Sequence, residues 1–236
     1  MPTPAKEAGA AAVRARLLAL RDPAYQAFQQ KLMPTVPPGR VLGVRTPALR
    51  ALARELAGTA EAGAFLRALP HDFYEEDNLH GFLLERIRTY PEALAALEAF
   101  LPYIDNWATC DCTSPKVFGR HKAELLGPVR RWLASGHTYT VRYGIGTLMR
   151  WYLDADFRPE HLGWVAGVHS GEYYINMMRA WYFATALAKQ PAAAWPWLEP
   201  GRLDEWTHRK AVQKALESRR IPEADKQRLR ALRACS

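Results

Sequence analysis

The chain has 236 residues, 49% of them hydrophobic and 24% charged, the composition of an ordinary soluble globular protein with enough apolar material for one sizeable core. Lys and Arg number 32 against 24 Asp and Glu, a formal net charge of +8, so the mean surface potential is positive and the partners implied are polyanions, nucleic acid or an anionic membrane surface. No apolar run approaches the roughly 18 residues of a bilayer span, and the start MPTPAKEAGAAAV lacks the basic segment and continuous apolar stretch of a signal peptide; a cytoplasmic protein is expected.

Strand signals are nearly absent, while apolar residues recur at three and four positions through most of the sequence, so the chain reads as all-α. In chain order the first helices fall at 5–20 and 23–32. MPTVPPGRVLG, residues 33–43, carries three prolines and two glycines and is expected to be a non-helical loop joining these helices to the remainder. Thr46 with Pro47 opens a helix over 47–57, and Thr59 after Gly58 opens one over 60–68. Helices follow at 73–89, 92–102 after Pro91, 106–113, 122–135, 138–153, 159–168, 172–189, 192–198 after Pro191, 204–217, and 223–233 after Pro222.

From residue 73 these helices pair off, the pairs beginning near residues 73, 105, 137, 171 and 204. A spacing of roughly 32 to 34 residues is the scale of two-helix solenoid repeats. The pairs share little sequence, so the repeat is one of architecture. One domain over 1–236 is expected, with N-terminal helices and the proline-rich loop in 1–46 and a repeat body in 47–236. That body would be a curved stack with a concave face, and a four-helix bundle with appendages is the alternative. Cys110 and Cys112, two positions apart on a helix, point to different sides, and Cys235 is remote in sequence; neither a disulfide nor a metal clip is expected, and reduced thiols fit a cytosolic address.

Four segments carry residue types suited to chemistry on nucleic acid. In IDNWATCDCTSPK, with Asn106 as the helix cap, Trp107 and Asp111 are four apart and share a face. An indole offers a flat electron-rich wall to a sugar or cationic base, and a carboxylate beside it can stabilise positive charge at a sugar carbon. The alternative is that Trp107 packs between repeats and Asp111 pairs with Lys116 or Lys122. In HTYTVRYGIGTLMRWYL, Arg142 could grip a phosphate or be an ordinary ion-paired arginine. Gly144 and Gly146 in the same helix suggest close approach of a neighbour. In GEYYINMMRAWYFATALAK, Trp181 follows Tyr174, Met177 and Met178, a stripe that is either core or contact surface. In WTHRKAVQKALESRR, Arg209, Lys210, Lys214, Arg219 and Arg220 form a basic stripe suited to phosphates, or a solvated face.

Together these segments resemble the AlkD-like family of bacterial DNA alkylation repair proteins. The resemblance rests on LGVRTPALRALARELA (42–57), DNWATCDC (105–112), TVRYGIGTLMRWYL (140–153), YYINMMRAWYFATALAK (173–189) and DEWTHRKAVQKALESRR (204–220), in the family's order and spacing. It implies a HEAT-like helical repeat solenoid, curved into a C with a basic concave face around double-stranded DNA, and excision of cationic N3- and N7-alkylated purines. By the same resemblance Asp111 matches the catalytic aspartate, Trp107 and Trp181 match the tryptophans that contact the deoxyribose backbone at the lesion, and Arg142 matches a backbone-binding arginine. Arg45, Arg209, Lys210, Lys214 and Arg219 are expected to add DNA contacts.

The implied activity is that of a DNA-3-methyladenine/7-methylguanine-type glycosylase. A cationic purine is already a good leaving group, so Asp111 need only stabilise charge at C1′ and position water. The base would stay in the stack, unlike the extrusion used by other glycosylases. No metal or organic cofactor, membrane or obligate protein partner is implied, and the chain would act as a monomer. Two features depart from the family pattern: a short second helix followed by the 33–43 loop replaces a continuous helix, and Met177, Met178 and Arg179 precede Trp181 where active members are more polar. They support a second reading, a non-enzymatic repeat scaffold binding damaged or branched DNA, or RNA.

Overall fold

The computed structural model describes residues 4–234, with burial and side-chain contacts given for 9–232; Cys235 lies outside the described residues. These form fourteen α-helices and no strand. By contact density the chain divides into two compact units, 1–121 and 122–236.

The first unit holds α1 (Pro4–Ala19), α2 (Pro23–Leu32), α3 (Thr46–Leu56), α4 (Ala60–Arg67), α5 (Tyr74–Leu84), α6 (Tyr90–Phe100) and α7 (Trp107–Cys112). Local chemistry starts them. Asp22 Oδ1 accepts from the amides of Ala24 and Tyr25 at the head of α2, and Thr59 Oγ1 accepts from Ala62 N–H at the head of α4, each satisfying amides a free helix end would leave orphaned. Leu49, Leu52, Ala53 and Leu56 make one buried stripe of α3 that packs on α5, as the 3.6-residue period requires. Val13 and Leu17 of α1, Phe65 of α4, and Leu79, Phe82 and Leu83 of α5 complete that core.

Helix α5 is the axis of this unit. Every one of its residues is buried, and it touches α1, α3, α4, α6 and α7. A helix buried all round has no solvent face, so Glu75, Glu76, Asp77 and Asn78 must find their partners inside the protein.

The second unit holds α8 (Lys122–Leu133), α9 (Thr138–Trp151), α10 (Glu160–Ala166), α11 (Tyr173–Lys189), α12 (Pro191–Ala194), α13 (Glu205–Glu217) and α14 (Glu223–Ala234). Here α8 packs on α9, α9 on α11, α11 on α13 and α13 on α14, the helix-on-helix succession of a helical repeat. A Cβ on Gly144 would stand 3.2 Å from Leu133 Cδ2 and 3.3 Å from Trp132 Cβ, so this glycine admits α8. Gly146 meets only the end of Met178 at 3.6 Å and is not needed for close approach.

Three expectations change. Residues 33–43 contain one 3-10 turn, Pro38–Arg40, since proline's fixed φ suits a tight turn even where it forbids a long helix. The helix expected over 73–89 ends at Leu84, and after a short link Thr89 adopts the extended backbone (φ −101°, ψ 140°) from which α6 starts. The helix expected over 192–198 is α12 followed by a 3-10 turn, Trp195–Leu198, because Pro196 has no N–H to continue the α pattern.

Candidate nucleic-acid site

Helix α7 is six residues long, too short to persist alone, and is held by its cap. Asn106 is fully buried; its Oδ1 accepts from Thr109 N–H at 2.8 Å and its Nδ2 donates to Asp105 Oδ1 and Thr109 Oγ1, both at 3.0 Å. Thr109 Oγ1 in turn donates to Asn78 Oδ1 of α5 at 2.9 Å. At the far end Thr113 Oγ1 donates to the Thr109 carbonyl at 2.8 Å, above Gly81, where a Cβ would fall 2.3 Å from that hydroxyl. Only glycine lets α5 approach α7 this closely. Trp107 and Asp111 stand one turn apart on this fixed helix, both partly exposed.

The 33–43 segment is packed against this helix. Met33, Val36 and Val41 are buried with Tyr74, and Trp107 and Ala108 pack on that cluster; Trp107 Nε1 donates to the Leu32 carbonyl at 3.3 Å. The Glu75 carboxylate accepts the amides of Leu42, Gly43 and Val44 at 2.8, 2.7 and 3.3 Å. Gly43 is required there: its φ is +84°, and a Cβ would lie 2.6 Å from the Asp22 carbonyl oxygen. Arg40 donates to Asp105, to Asp77 Oδ2 at 3.3 Å, and to the Asp72 and His71 carbonyls at 3.0 and 3.4 Å. Burial is the main cause that raises the pKa of Glu75, against the three amides, and that pushes Asp77 well above the carboxylate range, with Asp105 adding to it and Arg40 opposing. Burial also pushes the Tyr74 phenol up to about 12.

In the second unit Trp181 is 43% exposed, on the accessible side of a helix that is otherwise largely core. Arg142, only 4% exposed, donates from Nη1 to the Tyr174 carbonyl at 2.7 Å, joining α9 to the start of α11. Arg179 is a second internal cation, 2% exposed. It donates to Asp204 at 2.6 Å, to Asn176 and Thr207, and to the carbonyls of Val165 and Ala166, tying α10, α11 and the cap of α13 together. On α13, exposed Arg209 faces Glu205 at 3.7 Å, Lys210 Nζ donates to Gln213 at 3.0 Å, and Lys214 is partly buried; Arg219 is exposed just beyond the helix.

Of the residues expected to act together, α7 carries Trp107 and Asp111 side by side. Arg45 is engaged with Asp22 at 2.8 Å and lies over the Tyr25 ring at 4.7 Å. Trp181 and Arg142 lie on the packed pair α11 and α9, and Arg209, Lys210 and Lys214 on α13, which packs against α11. Glu75, Asp77 and Arg40, which position α7 and its flanking loop, are not among the residues the sequence patterns single out. No local pattern marks the acids: α5 also carries Asn78 and His80, so its sequence does not read as a helix buried all round. The rings of Tyr173 and Trp206 meet at the starts of α11 and α13 with centroids 5.7 Å apart.

Among the described residues no group of three or more His, Cys, Asp and Glu could hold a metal ion, and no helix is long and apolar enough to cross a membrane. A model of the family described as "DNA alkylation repair enzyme" matches residues 13–218. No curated protein matches the chain.

Proposed function

We propose, for a chain that belongs to the DNA alkylation repair enzyme family, that its reaction on alkylated DNA is hydrolysis of the N-glycosidic bond of cationic N3- and N7-alkylated purines, without removal of the base from the stack. The observation that carries this reading is the pairing on α7: Trp107 and Asp111 one turn apart, partly exposed, on a short helix whose cap is buried. Such a site is preorganised, so little reorganisation accompanies the build-up of charge.

In this reading Trp107 lies against the deoxyribose of the damaged nucleotide. Asp111 stabilises positive charge at C1′ as the C1′–N bond breaks, and orients the water whose oxygen bonds to C1′ and whose proton passes to solvent; the departing purine takes the bonding pair and leaves neutral. Trp181 adds a second indole along the backbone, and Arg209, Lys210, Lys214 and Arg219 supply phosphate contacts. Arg45 joins them by exchanging Asp22 for a phosphate. For Arg142, burial supports an indirect part, fixing the start of α11 through the Tyr174 carbonyl. The substrate is taken as double-stranded DNA and the working form as a monomer in the cytoplasm.

The test is release of 7-methylguanine from a duplex with one such lesion, by the native chain and by Asp111→Asn, which keeps the side-chain shape. Release by the native chain, lost in Asp111→Asn with duplex affinity retained, is the expected result. Full activity of Asp111→Asn would remove the proposed role. Steeply salt-dependent duplex binding with no base release would replace the glycosylase with a non-enzymatic scaffold.

A further inference from the structure

In the first unit, α4 and α6 each pack on α5 and leave between them a groove of about 1150 Å³. Its floor is apolar, formed by Leu66, Leu83 and Ile87. Small residues line its sides, Ala62 and Gly63 on α4 and Ala96 and Ala99 on α6. A Cβ built on Gly63 meets nothing but the flexible guanidinium of Arg67, at 3.3 Å. Small residues on both walls leave room for the backbone of a further helix to come within packing distance, which is set by the side chains at the contact.

The rim is basic. Arg67, Arg86, Arg88 and Lys116 line the groove, all four are exposed, and none has an ion-pair partner among the described residues. The acids beside them are already engaged, Glu85 by Arg50 at 3.0 Å and Glu92 by the Thr89 hydroxyl at 2.6 Å. The cations come from three separate elements, α4, the α5–α6 link and the turn after α7, so they flank the apolar floor from more than one side. Neither Trp107 nor Asp111 lines this groove.

We propose that this groove docks an acidic amphipathic helix of a partner protein, its apolar stripe on Leu66, Leu83 and Ile87 and its carboxylates on the arginines and Lys116. The pairing of an apolar trough with a cationic rim selects this occupant. A phosphate backbone is bound by cations that track its charges and has no use for an apolar floor, whereas a helix laid in a groove needs apolar anchors in the floor and complementary charge at the rim. The proposal stands apart from the chemistry assigned to α7 and predicts a recruiting surface on a repair enzyme.

The probe is a fluorescein-labelled peptide of about 16 residues, long enough for helix formation, with Leu at i, i+3, i+4 and i+7 spacing and Glu or Ala elsewhere. Its anisotropy is followed on titration with the full chain. The acidic peptide binds and its Glu→Lys counterpart does not. Ala96→Trp, which fills the groove, and the double variant Arg86→Glu/Arg88→Glu each weaken binding about tenfold or more, equivalent to about 1.4 kcal/mol or more. Arg209→Glu/Lys210→Glu on α13, which changes net charge equally, leaves peptide affinity unchanged. The rim variant is a surface change, so the test holds even if Ala96→Trp fails to fold. Absence of acidic-peptide binding overturns the proposal, as does equal loss in the α13 variant, which would mean bulk charge alone. It is overturned too if Arg86→Glu/Arg88→Glu weakens binding of an undamaged duplex as much as it weakens the peptide, since the groove would then belong to the nucleic-acid surface.

Discussion

Replacing Arg40 by Met tests whether the 33–43 segment orders α7. Among the described residues the guanidinium is the only cation bonded to Asp77, a carboxylate 1% exposed, and it also holds Asp105, the residue before the Asn106 cap. Removing one partner of a fully buried ion pair costs about 3–5 kcal/mol; with the Arg40 side chain 31% exposed, solvent screening brings the expected cost to roughly 1–3 kcal/mol. Against a total stability of about 5–15 kcal/mol that is a large fraction. The sign with pH follows from Asp77. Its folded pKa lies well above 3.8, raised first by burial and next by Asp105. For an acid shifted upward the protonated form is the one the fold prefers, so stability is lost as pH rises through the folded pKa, and Arg40 offsets that loss. The Arg40→Met deficit is therefore expected to be larger at pH 8 than at pH 5, because acid favours the protonated form of Asp77 that burial already favours. Urea denaturation at the two pH values measures it, and adding Asp77→Asn should recover most of the pH 8 deficit. Base release should stay low in the double variant, since Asp105 has still lost its cation. An Arg40→Met protein within about 0.5 kcal/mol of the native chain at pH 8, the range of an indifferent surface change, or a deficit that grows in acid, would refute the argument.

Asn106→Ala removes the cap of α7, with an expected loss of about 0.5–2 kcal/mol and a further drop in base release as Trp107 and Asp111 lose their fixed axis; unchanged activity in a folded variant would show that the cap is dispensable. Gly81→Ala forces a Cβ to 2.3 Å from Thr113 Oγ1, an overpacking expected to cost about 1–3 kcal/mol; an unchanged thermal midpoint would mean that α5 and α7 can separate freely. His71 and His80 are buried and bonded to each other at 2.9 Å, and burial holds His71 down to about 4 and His80 well below the usual value. Because the fold refuses protons the unfolded chain accepts below about pH 6.5, stability is full above about pH 7 and falls as pH drops toward 4, by about 3 kcal/mol for His71 alone. Comparing denaturation midpoints at pH 7.5 and 4.5 with those of His71→Phe/His80→Phe checks this: the double variant should lose less in acid, and an equal loss would place the acid sensitivity elsewhere.

Helices whose ends carry caps and whose cores carry a 3.6 period are legible in the sequence. Thr59 and Pro47 mark the starts of α4 and α3, and the stripe through Leu49, Leu52 and Leu56 marks the inward face. Helix α5 is not legible in the same way: Ile87 continues the apolar rhythm of Leu83 and Leu84 past the true end, and no proline or glycine between Leu84 and Thr89 marks the stop. Its acids are opaque for a different reason. Glu75, Asp77 and Arg40 are joined by contacts 32 or more residues apart, and no local pattern records which distant backbone a carboxylate will meet. On α7 the spacing of Trp107 and Asp111 is readable directly, whereas the exposure of Trp181 and the burial of Arg142 depend on which helices flank α11 and α9. A tryptophan in an apolar stripe gives no sign of which.

The grip of Glu75 on residues 42–44 also bears on how this chain can change over generations. The carboxylate accepts hydrogen bonds from three backbone amides, so this grip does not depend on the side chains that supply them; Gly43 is fixed by its backbone angle and the crowding of Asp22, and Leu42 and Val44 by their burial in the core. The exposed positions of the preceding segment, such as Pro34, Thr35 and Gly39, can then drift in sequence while Trp107 keeps its seat. An exposed, proline-rich stretch of the protein can thus serve a fixed purpose, held by a residue that sees only the course of the chain.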